Sequence, residues 1–189
     1  MLNNQITVKL HYLKKDGDYT GWNAWMWTLK QGGKQYELVK EGSEMVATVK
    51  VDGYTTGSVS FILRKGNWEE QEFNERRIDV STVAAGTVHY YVTSGAYEGK
   101  LVLEDNAERT NKLMAAEFDY DSGCLLVNTS MPVEDESAFA LCRWDGKAAD
   151  ITVTKAECKD CSCRLTLSKP LSLVELYRYA ICFGGHKHG

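Results

Sequence analysis

Residues 6–27, ITVKLHYLKKDGDYTGWNAWMW, decide the fold class. Over the first seven of these residues, apolar and polar side chains alternate, which predicts a half-buried β-strand. The apolar face of this strand holds Ile6, Val8, Leu10 and Tyr12. The DGD tripeptide at 16–18 predicts a turn, and the chain then resumes an extended pattern through residue 27. The stretch therefore predicts two β-strands joined by a turn.

The same alternation continues along the chain, and no segment shows a convincing helical period. Predicted strands of the first half are NAWMWTL, KQYELVK, MVATVKV, SVSFILRK, RRIDV and TVHYYVT. Those of the second half lie in AAEFDYDSGCLLVNTS, FALCRWDG, DITVTKAEC, CSCRLTLSKPL and YRYAICFGG, with LSLVEL as a turn or one helical turn. Short strands at this spacing predict an all-β protein built of antiparallel, immunoglobulin-like β-sandwiches.

Two such small domains in tandem are predicted, at 1–97 and 98–189. All six cysteines lie in the second half, whereas four of the five tryptophans lie in the first. Between them runs the polar stretch SGAYEGKLVLEDNAERTN, residues 94–111.

Bulk composition excludes several classes of partner. The net charge of -4 and the pI of about 5.6 provide no basic field for nucleic acid. No apolar run approaches the ~18 residues that span a bilayer, so membrane insertion is not expected. We expect a monomeric globular protein.

Three tryptophans fall within residues 22–27, and alternation puts Trp25 and Trp27 on one face of the strand, opposite Ala24 and Met26. Both faces are apolar, so the pattern alone leaves open which of them is buried. Side-chain size favours Ala24 and Met26 as the core face, because Met fills irregular gaps well. Trp25 and Trp27 would then lie outside, with Cα atoms roughly 7 Å apart, a spacing that suits two successive sugar rings.

Three blocks of the first half resemble carbohydrate-binding module family 41, the α-glucan-binding module at the N-terminus of bacterial pullulanases. The blocks are HYLKKDGDYTGWNAWMW, VSFILRKGNWEEQEFNERRIDV and TVHYYVTSG, in the family's order between residues 5 and 95. The resemblance implies that Trp25 and Trp27 stack on sugar rings and that Trp22 is structural.

The resemblance also implies polar contacts to sugar hydroxyls after residue 68. Gln71 stands where the family has a lysine, and Glu75 or a neighbour stands where it has an aspartate. The segment is one residue shorter than the family pattern, which leaves this register open. Lys65 and Trp68 match the family pattern too, and for Trp68 a packing role is favoured over ligand contact.

The second half resembles the small β-domain that precedes the catalytic part of type I pullulanases, through the LSKPL turn and the YRYAICF closing strand. A (β/α)8 barrel of about 250 residues does not fit the chain, and no carboxylate pair suggests glycosidase chemistry. We therefore expect no catalytic residues. The resemblance implies a non-catalytic piece of an extracellular or cell-surface, pullulanase-like family 13 glycoside hydrolase, whose catalytic domain would be its C-terminal partner.

The cysteines raise the question of a metal. CKDCSC at 158–163 lacks the paired spacing of zinc sites, so neither a metal site nor a cofactor is expected. A local disulfide from Cys158 to Cys161 or Cys163, and free buried thiols, both remain open.

Two functions of different classes follow. The first is binding of α-glucans, including starch, amylopectin, glycogen, pullulan and maltooligosaccharides, to hold an attached hydrolase on its polymer. The alternative is a cell-surface protein–protein interaction module, since exposed tryptophans are also typical of protein interfaces.

Overall fold

The computed structural model describes residues 4–188, and the chain forms two compact units with the boundary between Thr110 and Asn111. Strands make up more than half of the described residues, which confirms the predicted all-β class. The only α-helix in the described residues is α1 (Leu173–Leu176), the single turn predicted at LSLVEL. No helix among the described residues has the length and apolarity to cross a membrane.

The first unit is built from strands that form two sheets. The strands are β1 (Gln5–Leu13), β2 (Trp22–Trp27), β3 (Lys34–Glu37), β4 (Val39–Glu41), β5 (Glu44–Asp52), β6 (Ser58–Lys65), β7 (Glu70–Asp79), β8 (Val83–Thr93), β9 (Lys100–Leu103) and β10 (Glu108–Arg109). One sheet has the order β10-β8-β1-β5-β4, with β9 also paired to β8, and the other has the order β3-β2-β6-β7.

The alternating side chains of the two sheets meet in one apolar core. Ile6, Val8 and Leu10 of β1 are fully buried there, as the sequence predicts. From the other sheet, Ala24 and Phe61 enter the same core. At roughly 25 cal/mol per Å² of buried apolar area, this shared interior is the main force that holds the sandwich together.

Two features of the first unit differ from the sequence prediction. Strand β1 pairs with β8 in parallel, whereas an antiparallel sandwich was predicted; its pairing with β5 is antiparallel. The unit also extends beyond residue 97, because β9 and β10 both pair with β8. The stretch 94–111, which the sequence marks as a boundary, thus contributes two strands, and Leu101 and Leu103 pack on the core.

The second unit also has two sheets around one core. Its strands are β11 (Leu113–Asp119), β12 (Cys124–Thr129), β13 (Phe139–Arg143), β14 (Val153–Lys159), β15 (Ser162–Leu167), β16 (Tyr179–Phe183) and β17 (His186–His188), with a 3-10 turn at Glu136–Ala138. The sheet orders are β11-β12-β15-β14 and β13-β16-β17.

Disulfides join neighbouring strands of this unit. Cys142 on β13 is bonded to Cys182 on β16, and Cys158 on β14 to Cys163 on β15. Cys124 and Cys161 are free thiols. One of the two local pairings left open by the sequence, Cys158 with Cys163, is therefore present. Of the three CKDCSC thiols considered for zinc, only Cys161 is free.

Candidate functional site

Strand β2 turns its two faces to different surroundings. Trp22, Ala24 and Met26 lie in the core, Trp22 with 8% of its surface exposed. Trp25 and Trp27 lie on the opposite face and are partly exposed. Because side chains alternate along a strand, the burial of Ala24 and Met26 requires the two tryptophans to face away from the core.

Trp68 joins Trp25 on this outer face. It lies in the turn between β6 and β7 and is 44% exposed. Its ring centroid lies 5.8 Å from that of Trp25, and the two ring planes are inclined by 58°. Trp25, Trp27 and Trp68 are called the aromatic surface below.

A buried arginine lies against two members of the aromatic surface. The guanidinium carbon of Arg64 is 4.5 Å from the ring centroid of Trp25 and 4.3 Å from that of Trp68. Arg64 is only 2% exposed, so the two indoles and their neighbours shield it from solvent. Cation–π contacts of this kind strengthen when they are desolvated.

Hydrogen bonds fix the position of Arg64. Its Nε donates to Asn23 Oδ1 over 3.0 Å, and its Nη2 donates to Gln35 Oε1 over 2.8 Å. Its Nη1 is buried and has no hydrogen-bond partner among the described residues. Side chains of β2, which carries Trp25 and Trp27, and of the neighbouring β3 therefore accept hydrogen bonds from the guanidinium and hold it in place.

The backbone at Gly33 makes room for Trp25. A Cβ atom at Gly33 would lie 2.2 Å from Trp25 Nε1 and 2.6 Å from its Cε2. The indole therefore rests directly on the backbone before β3. Any larger residue at position 33 would push the Trp25 ring out of its place.

The polar residues predicted for the site lie on β6 and β7. Gln71 is exposed, is paired in register with Arg64, and donates through Nε2 to the carbonyl of Phe73. Glu75 accepts through Oε1 from Ser60 Oγ and Arg77 Nε. Arg77 and Ser60 thereby hold the pKa of Glu75 below its usual value, so Glu75 is a carboxylate at neutral pH.

Lys65 ends β6 opposite Trp22, and its Nζ lies 4.0 Å from Glu70 Oε2. Of the residues predicted for the site, the structure brings Trp25 and Trp68 into ring contact. Trp27, Gln71 and Glu75 share the outer face of the same sheet.

Sequence reasoning missed Arg64, Gln35 and Gly33. Alternation in SFILRK puts Arg64 on the face opposite Phe61 and Leu63, so its outward direction could have been predicted from the sequence. Its burial could not, because it depends on two indoles from separate segments that cover the guanidinium.

Within residues 4–188, no group of three or more His, Cys, Asp or Glu side chains is arranged to hold a metal ion. That the protein works without a metal or cofactor stays a prediction.

The first unit is thus an all-β module that presents tryptophans from the outer face of a sheet. The chain belongs to the family described as bacterial pullanase-associated domain, whose model matches residues 6–101. This match confirms the resemblance of the first half to a pullulanase-associated module.

Solved structures that are similar to this chain include two domains of the β/α-amylase from Paenibacillus polymyxa. They are CBM25-2 and CBM25-1, with identities of 12% and 11% and TM-scores of 0.37 and 0.35. Each alignment covers 54% of this chain and 95% of the domain.

A third is the multi-modular glycogen-degrading pneumococcal virulence factor SpuA, with 7% identity and a TM-score of 0.38. That alignment covers 96% of this chain but only 26% of SpuA.

Proposed function

We propose that the first unit binds α-glucans such as starch, amylopectin, glycogen, pullulan and maltooligosaccharides on its aromatic surface. The observation that carries the proposal is the cluster of Trp25, Arg64 and Trp68. Arg64 covers one side of both indoles, while Trp68 keeps 44% of its surface exposed. Partly exposed indoles on a rigid sheet offer apolar faces on which sugar rings stack.

The inclination of the rings suits a curved ligand. The 58° between the planes of Trp25 and Trp68 gives a bent surface. α-1,4 linkages turn successive glucose rings relative to one another, so the chain also presents a curved apolar edge. Arg64 and Gly33 hold the indoles in place before the ligand arrives, and such preorganisation lowers the entropic cost of binding.

Polar groups beside the aromatic surface supply contacts to hydroxyls. Gln71 offers an amide that both donates and accepts, Glu75 a carboxylate that accepts, and Lys65 an ammonium group that donates. Gln71 and Glu75 lie on the outer face of β7, and Lys65 is the last residue of β6, where alternation turns its side chain to the face opposite Arg64. We assign them to the rim of the site and the tryptophans to its centre.

In the parent protein, the module would keep a pullulanase-like family 13 glycoside hydrolase on its polymer by raising the effective concentration of substrate. The unit itself would be non-catalytic, and the second unit would act as a spacer. Membership of a pullulanase-associated family supports this context. The two disulfides support an extracellular or cell-surface location, because oxidising compartments preserve such bonds. We propose that the chain is a monomer.

Affinity electrophoresis tests the proposal. We expect amylopectin in the gel to retard the protein and cellulose to leave it unaffected, and the Trp25→Ala variant to lose most of the retardation. A protein that amylopectin does not retard, in a gel that retards a known starch-binding control, would contradict the proposal. That result would favour the alternative, in which the tryptophans dock a protein partner.

A further inference from the structure

A cleft of about 590 Å³ opens beside the aromatic surface. Its polar lining includes Asn23, Gln35, Glu37 and Asn67, and Tyr19 and Trp22 form an aromatic part of its wall. Ligand sites commonly have volumes of about 300–1,000 Å³, so this cleft has the size of a binding site. None of the sequence-predicted ligand contacts lies in it.

The residues of the cleft adjoin those of the aromatic surface. Asn67 directly precedes Trp68, and Gln35 is paired in register with Trp25. The hydrogen bonds from Arg64 to Asn23 and Gln35 link the two places, since Arg64 also contacts both indoles. A chain lying on Trp25 and Trp68 therefore meets the cleft at one end.

The polar groups of the cleft are held in fixed orientations. Because Asn23 Oδ1 and Gln35 Oε1 accept from Arg64, their amide nitrogens face elsewhere. Asn23 Nδ2 donates to the Gly66 carbonyl over 3.1 Å, and Gln35 Nε2 donates to Glu37 Oε1 over 2.6 Å. Glu37 is exposed, and in the described part of the chain Gln35 engages only its Oε1. Its Oε2 is placed to accept from a ligand.

The charge of the cleft selects its ligand. Glu37 contributes a carboxylate, and the described lining residues include no lysine or arginine. This lining disfavours anionic groups and suits neutral hydroxyls, which donate to carboxylates and bond to amides.

We propose that the cleft is an additional sugar subsite, in which Glu37 and Asn67 bind hydroxyls of a neutral glucan chain that extends from the aromatic surface. This inference rests on the proposed function and adds the path of the bound glucan, from the aromatic surface into the cleft. It predicts that long maltooligosaccharides bind more tightly than short ones, and that this gain comes from the cleft.

Calorimetric titration of the intact protein with maltotriose and with maltohexaose tests the subsite. For Glu37→Ala we expect about tenfold weaker binding of maltohexaose, the effect of losing one hydrogen bond to a charged group. Asn67→Ala should show a smaller loss, and maltotriose affinity should stay unchanged in both. Glu108→Ala, which removes an exposed glutamate on β10 of the other sheet, is the matched control and should bind both ligands normally.

The outcomes separate the two proposals. Equal losses for both oligosaccharides, or no loss for either, would overturn the subsite while leaving α-glucan binding intact. A wild-type protein that binds neither oligosaccharide would overturn both, as would binding that Trp25→Ala leaves unchanged. Melting temperatures of the variants close to that of the wild type exclude unfolding as the cause.

Discussion

Trp68 occupies a backbone conformation that tryptophan rarely adopts. Its φ is 71°, in the left-handed region that favours glycine, and Gly66, two residues earlier in the same turn, also has a positive φ. An L-residue in this region costs roughly 1–2 kcal/mol relative to glycine. The turn is held by hydrogen bonds from Gly66 N to Gly21 O and from Glu69 N to Lys65 O. These hydrogen bonds hold Trp68 in a strained conformation that places its indole beside Trp25. Strained residues of this kind are common at functional sites.

Comparing two variants of Trp68 isolates this strain. Trp68→Gly and Trp68→Ala both remove the ring and its contacts with Arg64 and Trp25, but only alanine keeps the steric cost. We expect the glycine variant to be more stable than the alanine variant by about 1 kcal/mol, measured by urea unfolding. Both should bind glucan more weakly than the wild type. An alanine variant as stable as the glycine variant would show that the turn is unstrained.

At the residue scale, the sequence predicted the face of β2 on which Trp25 and Trp27 lie, but not the residues that hold their rings in place. Side-chain size and the family resemblance both favoured Ala24 and Met26 as the core face of β2, and their burial confirms it. The contact between Trp25 and Trp68 joins residues 43 positions apart, and the burial of Arg64 follows from that contact. Local alternation carries no information on either.

At the scale of elements, period-2 alternation located the longer strands, and the first unit shows where it fails. Strands β9 and β10 were missed because they are short and lie in a polar stretch, so few alternating positions are available. Strand β7 begins at Glu70, earlier than the predicted RRIDV segment, because its first half is polar on an exposed edge. The parallel pairing of β1 with β8 depends on the path of the chain between them, which no local pattern encodes.

The outer face of the β1 sheet carries a hydrogen-bonded row of titratable side chains. Glu44 Oε2 lies 2.6 Å from His11 Nδ1, and His11 Nε2 lies 2.8 Å from His89 Nδ1. His89 Nε2 in turn lies 2.5 Å from Glu104 Oε1. His11 is buried, and Tyr91 stacks on its ring with a centroid distance of 4.3 Å.

Burial lowers the pKa of His11 below its ordinary value of 6.5, and the neighbouring His89 adds to this lowering. The Glu44 carboxylate opposes it, as does Glu41 more weakly, but the net shift of the pKa is downward. Near pH 6 the unfolded chain therefore binds more protons at this position than the folded chain. The stabilising contribution is complete above about pH 6.5 and declines as the pH falls from there.

Thermal unfolding at a series of pH values tests this row. We expect the melting temperature of the first unit to fall between about pH 7 and about pH 5, before the carboxylates titrate. In His11→Gln, this fall should become shallower, whatever the variant's overall stability. A melting temperature that rises toward acidic pH, or a slope that His11→Gln leaves unchanged, would contradict the assignment.

At the scale of the whole molecule, the two units differ in the aromatic groups that they expose. The second unit contains one tryptophan, Trp144, which is exposed and whose backbone N–H donates to the Arg178 carbonyl. No Trp-x-Trp pair recurs there, and no tryptophan–arginine–tryptophan cluster is possible with a single indole. The intact chain should therefore carry one strong glucan site, with the second unit acting as a spacer.

Calorimetric titration of the intact chain with maltoheptaose, for the wild type, Trp25→Ala and Trp22→Ala, tests the central claim most directly. We expect one site per chain, weakened at least tenfold in Trp25→Ala, which corresponds to about 1.4 kcal/mol. Loss of the core indole in Trp22→Ala should instead cost about 3–5 kcal/mol of unfolding free energy, clearly more than Trp25→Ala costs. Wild-type affinity in Trp25→Ala would contradict the claim that the outer tryptophans of β2 bind the glucan.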